Sequence, residues 1–228
     1  MFSLKSRTAA TALAAGLALT LAACGSDDTT ASSGESAAPA ASPTPAAAID
    51  SLSGKQTAVT LDPAFLEGIT ALQLTPATLG SATLDGATGV IAFPITGGNV
   101  TYFDPASGVD PYVQGLINHD GSGLQLTGAN GTVVKLENFE VDPAESVLFG
   151  KVTVNDEVFA ERADLFFLDG STLKPLAEGT EPNTAVLEGT TVSLTKTAAD
   201  ALNTVFETDA LAEFFPVGIA EITVNVPA

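Results

Sequence analysis

From Ile91 to Val226 apolar side chains recur at every second position. Ile91, Phe93 and Ile95 alternate with smaller or polar neighbours, and Val113, Gly115 and Ile117 do the same. Leu124 and Leu126 are followed by Val134 and Leu136, then by Leu148, Gly150, Val152 and Val154. Ala163, Leu165 and Phe167, then Val192 and Leu194, then Ile222, Val224 and Val226 continue the series. A period of two puts the apolar set on one face of a pleated strand. Asp85-Gly86, Asp120-Gly121, Asn130-Gly131 and Asp169-Gly170 lie between such runs and read as turns.

Two segments break the alternation. Asp62-Pro63 is an N-cap followed by proline at the first helical position, and Phe65, Leu66, Ile69 and Leu72 then share a face. A second helix is expected to start near Thr197, with Asp200 as its capping acid and Ala198, Leu202, Val205 and Phe206 as its apolar stripe. The pattern predicts a mainly β fold: a β-sandwich or open barrel of antiparallel strands with two short helices. Helices do not alternate with strands, which disfavours a parallel α/β sheet. The body of about 170 residues is a normal size for one domain with its own core.

The N-terminus has a different grammar. Lys5 and Arg7 precede an apolar run from Thr8 to Ala23 that is too short for a stable membrane span and has the layout of a secretory signal. Leu21-Ala22-Ala23-Cys24, followed by Gly25, resembles the bacterial lipobox. The resemblance implies cleavage before Cys24 and attachment of a diacylglycerol and a fatty acyl chain such as palmitate to it. Two or more acyl chains anchor a protein stably where one does not. The expected organisation is a signal peptide over 1–23, a lipidated Cys and disordered Ala/Ser/Pro linker over 24–54, and a β-rich domain over 55–228. The expected location is extracytoplasmic, at the bacterial cell surface, with the membrane engaged through the anchor. As a flexible coil, residues 25–48 would span roughly 25–30 Å.

Charge excludes further classes. The chain has 8 Lys+Arg against 27 Asp+Glu, a net −19, with one His, one Cys and no Trp. Removal of Lys5 and Arg7 with the signal leaves 6 Lys+Arg against the same 27 acids, a net −21. So few cations cannot form a nucleic-acid-binding surface. A single Cys excludes an internal disulfide and a Cys-rich zinc site. An acidic body is repelled by anionic headgroups, so the anchor, not the surface, would hold it to the membrane.

Catalytic patterns are sparse. No serine sits in a Gly-x-Ser-x-Gly elbow, and no Walker A, dinucleotide or EF-hand spacing is present. Asp104 with Asp110, Glu137 with Glu140, and Asp164 with Asp169 are the carboxylate pairs that an envelope glycan or ester hydrolase could use. His119 lies in Asn118-His119-Asp120-Gly121-Ser122-Gly123 and reads either as a ligand-contacting loop residue or as a turn residue whose ring bonds backbone. Tyr102 and Tyr112 flank a Pro/Gly-containing loop upstream of it and, with His119, form the candidate ligand-binding set. No metal site and no catalytic residue is assigned.

Several blocks carry a family resemblance. Ala92-Phe93-Pro94-Ile95-Thr96-Gly97-Gly98, Gly115-Leu116-Ile117-Asn118-His119-Asp120-Gly121-Ser122-Gly123-Leu124, Leu136-Glu137-Asn138-Phe139-Glu140-Val141-Asp142, and Val192-Ser193-Leu194-Thr195 with Ala198-Ala199-Asp200-Ala201-Leu202-Asn203 occur in that order. Together they resemble secreted actinobacterial domains of the HtaA type. The resemblance implies a surface-displayed β-rich domain with two helices. It also implies that haem-binding members ligate iron through a Tyr in the first helical region, supported by a His. His119 matches that His, whereas the helix here reads Pro63-Ala64-Phe65-Leu66-Glu67-Gly68-Ile69 and has no Tyr. Haem could then be held only if Tyr102 or Tyr112 substitutes. The reading from sequence is a non-enzymatic cell-surface lipoprotein that binds a ligand or envelope component, or serves a structural role there. A haem-uptake protein and an envelope hydrolase are the alternatives, and no cofactor other than haem is in view.

Overall fold

The computed structural model describes residues 43–227. The signal peptide, Cys24 and the linker up to residue 42 lie outside the described residues. In chain order the elements are β1 (Ala47–Ile49), β2 (Lys55–Leu61), α1 (Pro63–Ala71), β3 (Thr75–Gly80), β4 (Thr83–Asp85), β5 (Val90–Pro94) and β6 (Gly97–Tyr102). They continue with β7 (Val113–Thr127), β8 (Val133–Asp142), β9 (Val147–Val154), β10 (Glu157–Asp169), β11 (Ala177–Glu178), β12 (Thr184–Leu194), α2 (Lys196–Phe206) and β13 (Pro216–Asn225).

The strands form one antiparallel sheet in the order β1-β6-β7-β8-β9-β10-β12-β13-β2-β5-β4, with β3 on β7 and β11 on β12. The expected mainly β fold with two short helices is what the chain adopts, as a sheet curled into a half-barrel. The alternation sets which residues face inward. Tyr102 opposes Val113 across the β6–β7 pair, and Ile117 and His119 oppose Val141 and Phe139 across β7–β8. Phe93, Ile117, Phe139, Val141, Phe166 and Val192 from these and neighbouring strands share one buried cluster.

Local chemistry explains the joints. Asp62 Oδ1 accepts from Ala64 N at 2.7 Å and starts α1 at Pro63 as expected. Thr195 Oγ1 accepts from Ala198 N at 3.1 Å, so α2 begins at Lys196, slightly ahead of the expected start. The β9–β10 turn places Asn155 and Asp156 at φ 49° and 66°, the pair of left-handed residues that a tight twisted hairpin needs. At Gly115, φ is +119° and a Cβ would overlap the Asn99 carbonyl oxygen, so β6 and β7 pair closely only with glycine there.

Two segments differ from expectation. β1 lies ahead of residue 55, inside the stretch read as linker, and Ile49 and Leu52 are both buried. They are the first aliphatic residues after the Ala/Ser/Pro tract, and they supply the apolar surface that the tract lacks. Asp120-Gly121 is not a turn between strands. It is a bulge inside the single strand β7, where the register shifts between His119 and Gly123. Gly121 (φ +70°) donates its N–H to Asn138 Oδ1 at 2.9 Å, which fixes the bulge to the opposite irregularity in β8. Bulges of this kind bend a strand and increase its twist, and here they accompany the curl.

Candidate functional site

The curled sheet encloses an open cavity of about 610 Å³. Its walls are aliphatic and aromatic, from Ile49, Val100 and Ile117 on one side to Leu187, Ala220 and Ile222 on the other. Tyr102, Tyr112 and His119 all line it, so the structure brings the three sequence candidates to one space. Within it the two tyrosines meet but His119 stands apart. Tyr102 pairs with Val113 at the start of β7, and His119 is six residues further along that strand, about 20 Å away at ordinary strand rise.

The two ends are chemically distinct. At one end lie the β6–β7 loop (Asp110, Pro111, Tyr112), the β8–β9 turn (Pro143, Ser146) and the loop after β10 (Gly170, Ser171, Leu173). All of these are exposed or half-buried, which marks the mouth. The Tyr102 and Tyr112 rings meet edge to face there, centroids 5.9 Å apart. Burial raises the Tyr112 phenol pKa, and Tyr102 adds to the rise. The deep end is an aromatic floor. Phe93 packs edge-on against Phe139 at 5.2 Å and against the His119 ring at 6.3 Å, and Phe139 packs on Phe166 at 6.4 Å.

His119 is only 1% exposed. Its Nδ1 lies 3.0 Å from the Pro94 carbonyl and its Nε2 lies 3.2 Å from Thr57 Oγ1. A carbonyl only accepts, so Nδ1 carries the proton and donates, and Nε2 accepts from the Thr57 hydroxyl. Burial lowers the pKa of the ring below its usual value, against smaller raising effects from Pro94, Phe93 and Asp120. The ring is neutral with both nitrogens engaged. It ties β7 to β5 and β2, across the line where the two arms of the curled sheet approach. Thr96 completes that seam: its N–H donates to Asn118 O at 2.8 Å and its hydroxyl accepts from Asp120 N at 2.9 Å.

The other candidates do local work. Ser122 Oγ donates to the backbone oxygen of His119 at 2.8 Å, not to its ring. Asp104 accepts from Ala106 N at 2.8 Å and Asp169 from Ser171 N at 2.8 Å, both as turn-forming contacts. The Ser171 backbone bond is the main cause that holds the Asp169 carboxyl below its usual range. Glu140 binds Arg162 at 2.7 Å, and that guanidinium stacks over Phe149 at 3.3 Å. Among the described residues, no group of three or more His, Cys, Asp and Glu side chains is placed to hold a metal ion. A haem iron held by a Tyr and supported by His119 does not fit these positions. The first helix offers Phe65, the cavity's two phenols are at the far end, and His119 has no free nitrogen. The cavity itself is absent from the sequence reading. Alternation marks which side chains face inward but not how far apart the two arms of a curled sheet stand.

No family model and no curated protein matches the chain. Among solved structures, the C-terminal domain of HtaA from Corynebacterium glutamicum is similar with a TM-score of 0.52 at 14% identity, covering 78% of this chain and 98% of that one. The chain shares that fold. The N-terminal domain of the same protein is similar at 0.48 and 14%, covering 78% of this chain and 99% of that one. The likeness to the C-terminal domain supports the resemblance read from the sequence blocks at the level of architecture.

Proposed function

We propose that this chain is an extracytoplasmic, lipid-anchored binding domain without catalytic activity, whose cavity takes an apolar small molecule. The cavity carries this reading. Its volume of about 610 Å³ falls in the range of roughly 300–1,000 Å³ typical of ligand sites, and its walls are mostly apolar, with Asp110, Tyr112, Ser146 and Ser171 at the mouth and the mutually bonded Thr57 and His119 at the floor. Tyr102 and Tyr112 would contact the ligand near the entrance, and His119 would hold the floor in shape. The lipobox at Cys24 supplies the location. The test is titration of the chain from residue 24 onward, carrying Cys24→Ser, with the uncharged fluorescent probe Nile red. Saturable one-to-one binding is expected, with Leu148→Trp, which fills the cavity, weakening it by at least about tenfold. Leu116→Trp, on the outer face of β7, should leave it unchanged. Absence of saturable binding overturns the reading.

Haem is the second reading, favoured by the two phenols at the mouth. In it Tyr102 or Tyr112, without His119, would hold the iron. Hemin titration decides it: a shifted Soret band abolished by Tyr112→Phe or Tyr102→Phe supports haem binding, and an unshifted band removes it.

A further inference from the structure

We infer that the cavity receives a neutral lipid, which inserts one long hydrocarbon chain to the aromatic floor and leaves a hydroxyl-bearing headgroup at the mouth. This rests on reading the cavity as a ligand site.

Depth and floor chemistry select the buried part. From Tyr102 to His119 the wall runs about 20 Å, the length of a long extended chain rather than of a compact ring. The floor of Phe93, Phe139 and Phe166 offers no hydrogen-bond partner, and His119 is fully engaged by Pro94 and Thr57. Among the described residues no buried polar side-chain atom lacks a partner. A polar group carried to that depth would lose its water without compensation. The inner end of the ligand is therefore hydrocarbon.

The mouth selects the headgroup. Asp110, Tyr112, Ser146 and Ser171 provide one carboxylate and three hydroxyls. Lys174, beside the rim residue Leu173, is already engaged with Glu188 at 2.7 Å. An anionic headgroup would face Asp110 with no unengaged cation there, whereas glycerol-like hydroxyls find both donors and acceptors.

Chain connectivity selects the source. Ala47 and Ala48 line the cavity, and Ala46 donates its N–H to Tyr102 O at 2.9 Å. The segment leading back to Cys24 thus joins the domain at the mouth. An acyl anchor on Cys24 would hold the domain within reach of the bilayer that carries such lipids.

Competition against Nile red on the Cys24→Ser chain tests the inference. The competitors are 1-palmitoylglycerol and 1-palmitoyl-lysophosphatidic acid, which share a chain and a glycerol and differ by a phosphate, each kept below its aggregation threshold. The neutral lipid should displace the probe with one-to-one stoichiometry. The phosphate-bearing lipid should bind at least about tenfold more weakly at low salt, with the gap narrowed by added salt and by Asp110→Asn. Equal affinity for the two overturns the headgroup assignment. No displacement by either, with Nile red still bound, overturns the lipid and leaves the ligand site standing. Failure of Nile red itself strikes the ligand site.

Discussion

His119 holds three strands with one ring. Because it is the only histidine in the chain, any stability change that titrates with imidazole belongs to it. Its pKa is lowered in the folded state, so between that value and the ordinary 6.5 the unfolded chain binds more protons. Its contribution is fully present above about pH 6.5 and is lost as pH falls through the folded value. Denaturant unfolding between pH 7.5 and 5.5 should show stability falling by up to about 1.4 kcal/mol per pH unit. His119→Phe should remove that slope, and a slope that survives the substitution refutes the assignment. Thr57→Val keeps the shape but leaves Nε2 without its donor, and should destabilise by about 1–3 kcal/mol at pH 7.5. The sequence marked His119 as a residue to watch. It could not distinguish a ligand contact from a clasp, because both Nδ1 and Nε2 find their partners far away in the chain, at Pro94 and Thr57.

Among the elements, those written in local chemistry were legible. Asp62-Pro63 announces α1, and Asn130-Gly131 stands in the β7–β8 loop, where Gly131 N–H donates to Gly128 O at 2.9 Å. Asp62→Ala should cost about 0.5–2 kcal/mol in chemical denaturation by removing the bond to Ala64 N. Asp120-Gly121 was legible as a break but not as a bulge, since the same left-handed glycine serves a turn and a bulge alike. β1 was hidden because Ala-Ala-Ile has no strand signature of its own and exists by pairing with β6. Gly115 shows the converse, a residue whose meaning appears only once two strands approach. Gly115→Val should destabilise by about 2–4 kcal/mol, by forcing a β-branched side chain to positive φ and against Asn99 O. A midpoint within error of the parent would show that the strands can separate there at no cost.

For the molecule as a whole, the first described strand, β1, joins the sheet beside Tyr102 at the rim of the cavity. Fractionation of the producing cells tests the anchor directly. Cys24→Ser should move the protein from the membrane fraction to the soluble extracytoplasmic fraction, and continued membrane association would show that another surface holds it. The cavity was the part least legible in sequence, because a void is set by the curvature of a whole sheet and no residue encodes it. A protein held on a membrane is concentrated in two dimensions, where open sheet margins are a hazard for fusing one molecule to the next. The two strands that end this ladder, β1 and β4, are three residues each, while the fifteen residues of β7 are flanked by β6, β8 and β3. At those two ends a neighbouring copy would meet only three-residue margins, so the longer margins left for sheet extension are β3, paired with β7 alone, and the first half of β10, paired there with β9 alone.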